Sequence, residues 1–469
     1  MRLRFVCMCL LFWLLSTGGS LIAQDTTVLD FDTFIETVRE HHPLALQAEI
    51  IPEQAQNEIR MARGAFDPKL QADKSFKDFD GKTYYDIFSG GMKVPTWFGL
   101  EFYGGFEQNQ GIFLNPERTV PDGGLAHAGV SLPIGRGLFI DERRATLRKA
   151  QISLQSSRAE RIALLNDLLF EAGKTYWDWF NAYQNLLVYQ NAQGLAEVRR
   201  AAVKQGAVLG DRALVDTLEA DIQVQNRVLS VQEAILKFEN ATAKLELFLW
   251  RDGRIPLELE IGSVPLSRDD IAALLIDTQF QQALDSLIFQ HPELAQSRFK
   301  LEQLNIEQRL KREMLKPQLD VKYNFLTEPV GDSWLNNFNT QNYNWGFTFS
   351  LPLFLRKERA ALALNRQKID MMNYELDLKE QALATKARLA LNTWNNSFQQ
   401  SELAERQVDA YLRLLDAERR MFRAGESSLF LINSRESSYV QAQIKFLKAL
   451  TENQKAILES RYRFALLSQ

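Results

Sequence analysis

The chain has 469 residues, a formal net charge of −4, 46% hydrophobic residues and 24% charged residues. That is the composition of a folded protein with room for several ordinary domains or one elongated one, and it excludes a disordered chain. With an acidic balance and no basic block, a nucleic-acid partner is disfavoured.

Arg2 and Arg4 precede an uninterrupted apolar run of 11 residues, Phe5 to Leu15, and small residues follow from Ser16 to Ser20. This predicts a secretory signal over residues 1–23, cleaved after Ser20 or Ala23, whose apolar run is too short to span a membrane. Both cysteines, Cys7 and Cys9, lie inside it. The mature chain is therefore expected to have no disulfide, no reactive thiolate and no Cys-ligated metal. Beyond the signal no run of 18 or more apolar residues occurs. A mature chain that crosses a membrane must then do so with strands closed into a barrel.

Asp32 to Arg63 reads as a first helix. Extended segments follow in which apolar residues alternate: Leu100, Phe102, Gly104 and Phe106, then Ala126, Ala128, Val130 and Leu132. Later in the chain, after a helix predicted over Ser286 to Leu315, Leu319, Val321, Tyr323 and Phe325 alternate with Asp320, Lys322 and Asn324. Trp345, Phe347, Phe349 and Leu351 repeat the pattern. A period of two places one face in an apolar medium and the other in water. A soluble antiparallel sheet over a core gives the same pattern. Aromatic residues at strand ends (Trp97, Tyr103, Trp334, Tyr343, Trp345) resemble an interfacial girdle and tilt the reading towards a membrane.

The helical parts are long. Leu138 to Gln205 runs for 68 residues and Leu355 to Ala424 for 70, both without proline, so the first alone would extend roughly 100 Å. Val224, Val228, Val231, Ile235, Phe238, Thr242, Leu245 and Leu249 step by alternate fours and threes, as do Leu165, Leu169, Ala172, Tyr176, Trp179 and Tyr183. Such heptads predict coiled-coil packing along a seam. Each long helix stops at a glycine, in Gly210-Asp211-Arg212 and in Gly425-Glu426-Ser427-Ser428. A helix end, an N-cap and negative first-turn residues are expected there. Asp252 to Asp270, rich in Pro and Gly, reads as a connecting layer.

The chain also repeats itself. His42-Pro43 recurs as His291-Pro292, and Asp67-Pro68-Lys69-Leu70 has its counterpart in Lys316-Pro317-Gln318-Leu319, both at an offset of 249. Ser131-Leu132-Pro133 matches Ser350-Leu351-Pro352, Trp179 matches Trp394, and Gly210 matches Gly425. These ordered matches predict an internal duplication. The first repeat spans 24–267, with strands about 66–134, a helical hairpin 138–250 and a linking segment 251–267. The second spans 268–469, with strands about 317–352 and a hairpin 355–467. The copies differ chiefly by an insertion at about 80–124, which the sequence assigns neither to the sheet nor to an external loop.

Signs of catalysis are missing. The chain has no Gly-rich phosphate loop, no His-Glu-x-x-His and no Gly-x-Ser-x-Gly. Gly135-Arg136-Gly137 reads as a strand-to-helix turn. The four histidines, His41, His42, His127 and His291, do not cluster in the sequence. The matched positions of His42 and His291 point to a helix-boundary role rather than metal binding. No catalytic residue, cofactor or metal site is predicted.

The duplicated helix starts (His42-Pro43-Leu44-Ala45-Leu46 and His291-Pro292-Glu293-Leu294) lead this chain to resemble the TolC-like outer-membrane efflux proteins over essentially its whole mature length. The Pro before each first strand, the Leu-Pro that ends each last strand, and Gly210, Asp216, Glu219 and Ala220 contribute. It departs from the family in having His where Asn usually precedes the helix-start Pro. The resemblance implies a homotrimer with four strands per subunit in a shared twelve-stranded transmembrane β-barrel, continued by a periplasmic tunnel of helical hairpins. It implies Asp216 and Glu219 as a charged constriction at the tunnel entrance, the second repeat having Leu431 and Ser434 there. It implies Gly210, Asp211, Arg212, Gly425, Glu426, Ser427 and Ser428 as tips that dock a periplasmic adaptor. The expected fold class is thus an α+β membrane protein. The expected function is a passive outer-membrane duct that serves an inner-membrane pump through that adaptor. The alternative is a periplasmic coiled-coil scaffold without a pore.

Overall fold

The computed structural model describes residues 27–260, 262–271, 288–328 and 339–468. The predicted signal with Cys7 and Cys9, the start of the helix expected at Ser286, and the girdle candidate Trp334 lie outside the described residues.

The helix expected over Asp32 to Arg63 is two helices, α1 (Phe31–His41) and α2 (Pro43–Arg63). Asp30 caps α1, its carboxylate accepting the Thr33 backbone N–H at 2.9 Å, and the bonds from Thr33 hold its carboxyl below the usual range. The break falls at His42, which is extended (φ −67°, ψ 135°) because a residue before proline is driven out of the helical region.

The strands follow as β1 (Lys69–Phe79), β2 (Lys82–Pro95), β3 (Glu101–Gln110) and β4 (Leu125–Pro133). Helix α3 (Glu142–Val208) and helix α4 (Leu214–Glu246) form the first long hairpin. Helix α5 (Pro292–Glu313), strands β5 (Gln318–Thr327) and β6 (Tyr343–Ser350), and helices α6 (Arg356–Arg423) and α7 (Leu429–Arg463) complete the order. Among the described residues between α4 and α5 are short paired pieces. Trp250–Arg251 pairs antiparallel with Ile255–Pro256, and Val264–Pro265 pairs parallel with Val28–Leu29.

All six strands form one antiparallel sheet in the order β6-β5-β4-β3-β2-β1. The resemblance had implied four strands. The additional pair is β2 and β3, which occupy most of the insertion at about 80–124 and lie inside the sheet, between β1 and β4. A tight turn with Asp80 and Gly81 in the left-handed region (φ 53° and 69°) joins β1 to β2; glycine tolerates this geometry freely and Asp better than most residues.

Register sorts the sheet into two faces, since directly opposed residues point the same way. On one face, Phe349 opposes Leu319, Phe347 opposes Val321 and Trp345 opposes Tyr323. Tyr323 in turn opposes Val130, Val130 opposes Phe102, and Phe102 opposes Val94. Leu70 opposes Met92 across the β1–β2 pair. The other face carries Lys93, Tyr103, Glu101, Ser131, His127, Lys322, Asp320 and Thr348. Near the helices, Glu101 accepts from Lys93 at 2.7 Å and from Arg143 at 2.6 Å.

The chain divides into two compact units. One comprises the described parts of 1–45, 167–277 and 389–462; the other those of 46–166, 278–388 and 463–469. These are not the two predicted repeats, because each unit draws segments from both halves of the chain. The first unit has an aromatic core. Phe34, Tyr176, Trp179 and Phe180 are fully buried. The Trp179 indole N–H donates to Thr242 Oγ1 at 2.9 Å, and its ring lies 6.2 Å from that of Phe238. In the second unit, Ile140, Ala145, Ile152, Ile306 and Leu310 pack together, as do Ile59, Ala62 and Ala150. Arg161 reaches Glu49 at 2.9 Å between α3 and α2.

Candidate channel elements at the hairpin tips

Both hairpin tips are built by one backbone device. At the end of α3, Asp211 N–H bonds Gly206 C=O at 2.9 Å and Gly210 N–H bonds Ala207 C=O at 3.2 Å. At the end of α6, Glu426 N–H bonds Met421 C=O at 2.9 Å and Gly425 N–H bonds Phe422 C=O at 3.2 Å. This paired arrangement satisfies the last carbonyls of a helix and needs a left-handed residue at its turn. Gly210 (φ 82°) and Gly425 (φ 80°) supply it.

The helix starts differ. Ser428 caps α7, its Oγ accepting from Leu431 N–H at 3.3 Å. Helix α4 instead begins after Ala213, which offers no side-chain cap, so the N-cap expected within Gly210-Asp211-Arg212 is not there. Arg212 lies 4.3 Å over the Phe422 ring. Ser427 Oγ donates to the buried Glu418 carboxylate. Asp211, Glu426 and Ser428 are exposed. They are flanked by exposed apolar residues the sequence reading did not single out: Leu209 (69%), Leu214 (80%) and Phe430 (69%).

The two constriction candidates are placed differently. Asp216 sits in the first turn of α4, half-buried, with no ion pair among the described residues. Glu219 accepts from Asn433 Nδ2 at 2.9 Å. Asn433 Oδ1 accepts from Arg199 at 2.8 Å, and Arg199 also pairs with Glu436, which is 1% exposed. Arg227 donates to Ser437 Oγ at 3.0 Å, and burial pulls its guanidinium down from the usual arginine range. A buried polar network therefore joins α3, α4 and α7 next to the tips.

Comparison with known proteins places this arrangement. The outer membrane efflux protein family pattern matches residues 283–459. The Campylobacter jejuni CmeC outer membrane channel is 16% identical with a TM-score of 0.63, the match covering 92% of this chain and 85% of that one. The open state of the Neisseria gonorrhoeae MtrE outer membrane channel is 15% identical with a TM-score of 0.65, over 92% and 88%. The outer membrane protein VceC of Vibrio cholerae is 12% identical with a TM-score of 0.63, over 92% and 95%. A search of the curated proteins finds no match.

The matched segment, residues 283–459, is similar to the outer membrane efflux protein family, and the chain as a whole shares the fold of these channels.

Two histidines mark the helix starts of this chain. His42 Nδ1 accepts from Leu44 N–H at 3.2 Å, and His291 Nδ1 accepts from Glu293 N–H at 3.3 Å. Each thus does the capping work of the Asn that usually stands there. The His42 ring is 9% exposed and stacks on Phe248 at 5.9 Å; burial lowers its pKa.

Sequence reasoning missed Arg199, Arg227, Asn433 and Glu436. A signal for two of them was present. Leu429, Asn433, Glu436, Val440, Gln443, Leu447 and Leu450 step by alternate fours and threes, so a polar amide and a carboxylate occupy seam positions where apolar residues are the rule.

Proposed function

We propose that three copies of this chain form a passive exit duct. Their sheets close into one shared barrel, and their helical hairpins form a tunnel that receives substrates from an inner-membrane pump through a periplasmic adaptor. The observation that carries this reading is the sorting of the helix-proximal part of the sheet, from Phe349 and Leu319 across to Val94, Met92 and Leu70, into one apolar and one polar face, the requirement for a wall with lipid outside and water within. No energy source is needed in such a wall; the pump supplies it. Two copies of one structural plan in each chain give the tunnel quasi-sixfold symmetry.

At the entrance, three Asp216 carboxylates form the charged ring, while Glu219 is committed to Asn433 and holds the hairpins together. The tips, from Gly210 to Arg212 and from Gly425 to Ser428, with the apolar residues beside them, are the adaptor's docking surface.

The test combines outer-membrane fractionation, sizing of the detergent-extracted protein and planar-bilayer recording. A trimer that needs detergent and carries ionic current supports the duct. A monomer soluble without detergent and without current supports the coiled-coil scaffold instead.

A further inference from the structure

The six-stranded sheet ends in β1 on one side and β6 on the other, and no other described strand pairs with either outer edge. Every residue of both edge strands is exposed, over 11 and 8 residues. Edges of that length present rows of unpaired N–H and C=O groups, which hydrocarbon does not tolerate. The apolar-face residues there are bare as well: Leu70 is 83% exposed, Trp345 61% and Phe347 63%.

The geometry points to a wall of 18 strands, six from each of three copies, in which β6 of one copy pairs with β1 of the next. This rests on the proposed duct and departs from the twelve strands that the family resemblance implies.

Direction permits the closure. Every neighbouring pair in the sheet is antiparallel, so β1 and β6, five steps apart, run in opposite senses. Setting β6 against the next copy's β1 continues the alternation without a parallel seam.

The inserted hairpin cannot be an external ornament on a smaller wall. β2 is the neighbour of β1 along the whole of that strand, and β3 is the neighbour of β4. Without β2 and β3, β1 has no partner in its own chain. Near the helices the inserted strands keep the facing of the rest, with Val94 and Phe102 on the apolar side and Lys93 and Glu101 on the polar side.

Size agrees. Strands about 4.8 Å apart and tilted by about 40° give 18 strands a circumference of about 110 Å, against about 75 Å for 12. In the unit that holds the sheet, four helical segments (α2, α5 and the first parts of α3 and α6) accompany the six strands. Twelve such segments from three copies, spaced by about 8–10 Å, need roughly 100–120 Å.

The test is a strand count in the unmodified detergent-extracted protein by electron cryomicroscopy, joined to cysteine cross-linking. Gln71→Cys or Asp73→Cys on β1 is combined with Gly346→Cys or Thr348→Cys on β6. All four positions are on the polar face, and the chain's own cysteines are confined to Cys7 and Cys9. The expected results are 18 strands in the membrane wall and, under oxidation, a covalent ladder on a denaturing gel that stops at three chains. A trimer with twelve strands in its wall overturns the inference and leaves the duct intact. A cross-link confined to single chains also overturns it, since each sheet then closes on itself. A soluble monomer removes the duct reading and this inference together.

Discussion

Asn433 gives one hydrogen bond to Glu219, at 2.9 Å, while its carbonyl end takes one from Arg199. A neutral amide therefore couples an acid on α4 to a base on α3. The two carboxylates that the family resemblance presents as equivalent, Asp216 and Glu219, are not equivalent in this chain.

Ion selectivity should separate them. Asp216→Asn is expected to move the cation-to-anion permeability ratio towards unity in bilayer recordings, because the proposed ring would lose its charge. Glu219→Gln is expected to leave the ratio unchanged. A larger change from Glu219→Gln than from Asp216→Asn would reverse the assignment.

Removing the acid at the centre of the network should cost stability. Glu436→Ala leaves the largely covered Arg199 without its counter-ion and Arg227 without the nearby negative charge that Glu436 provides. Breaking a buried pair from one side costs about 3–5 kcal/mol. Glu436→Gln keeps hydrogen-bonding capacity and should cost less. Denaturant midpoints of the detergent-solubilised protein measure both, and equal losses would mean that charge is unimportant at this position.

The tip glycines offer a cleaner case. A Cβ built at Gly210 or Gly425 meets nothing within 4 Å, so an alanine there would suffer only from the backbone conformation. Gly210→Ala and Gly425→Ala are each expected to lower stability by about 1–2 kcal/mol, the cost of a left-handed non-glycine residue. The asparagine variants should lose less, and thermal melts of the four proteins would show the ranking.

Acid should weaken the junction of α1 and α2 through His42. Its folded pKa lies below the ordinary 6.5, so the unfolded chain binds the proton first. Stability then falls as pH drops from about 7 through 6.5 and continues to fall until the folded pKa is reached. His42→Asn retains a cap and has no titrating group. Its melting temperature should vary less between pH 7.5 and 5 than that of the parent, and an identical dependence would exclude His42 as a source.

The helical part of this architecture was legible because its code is one-dimensional. Leu165, Leu169, Ala172, Tyr176 and Trp179 were picked out by spacing alone, and all are at most 4% exposed. The alternating strands were legible for the same reason. The inserted hairpin was harder, since Gly90-Gly91 and Gly104-Gly105 interrupt the alternation with residues that mark neither face. Its position between β1 and β4 is a pairing choice that local pattern does not encode. The tip network was hidden by distance along the chain: Arg199 and Glu436 are 237 positions apart. The helix break at His42 was readable from Pro43, yet the periodic apolar residues on both sides masked it.

Each compact unit is stitched from separated stretches, and the first needs residues 389–462 for its last piece. A nascent chain that has emerged only as far as residue 388 thus has neither bundle complete, however well its early helices form. Long-range contacts of this kind are slow to make and leave apolar seams uncovered meanwhile. Closure of either unit must consequently wait until synthesis is nearly finished.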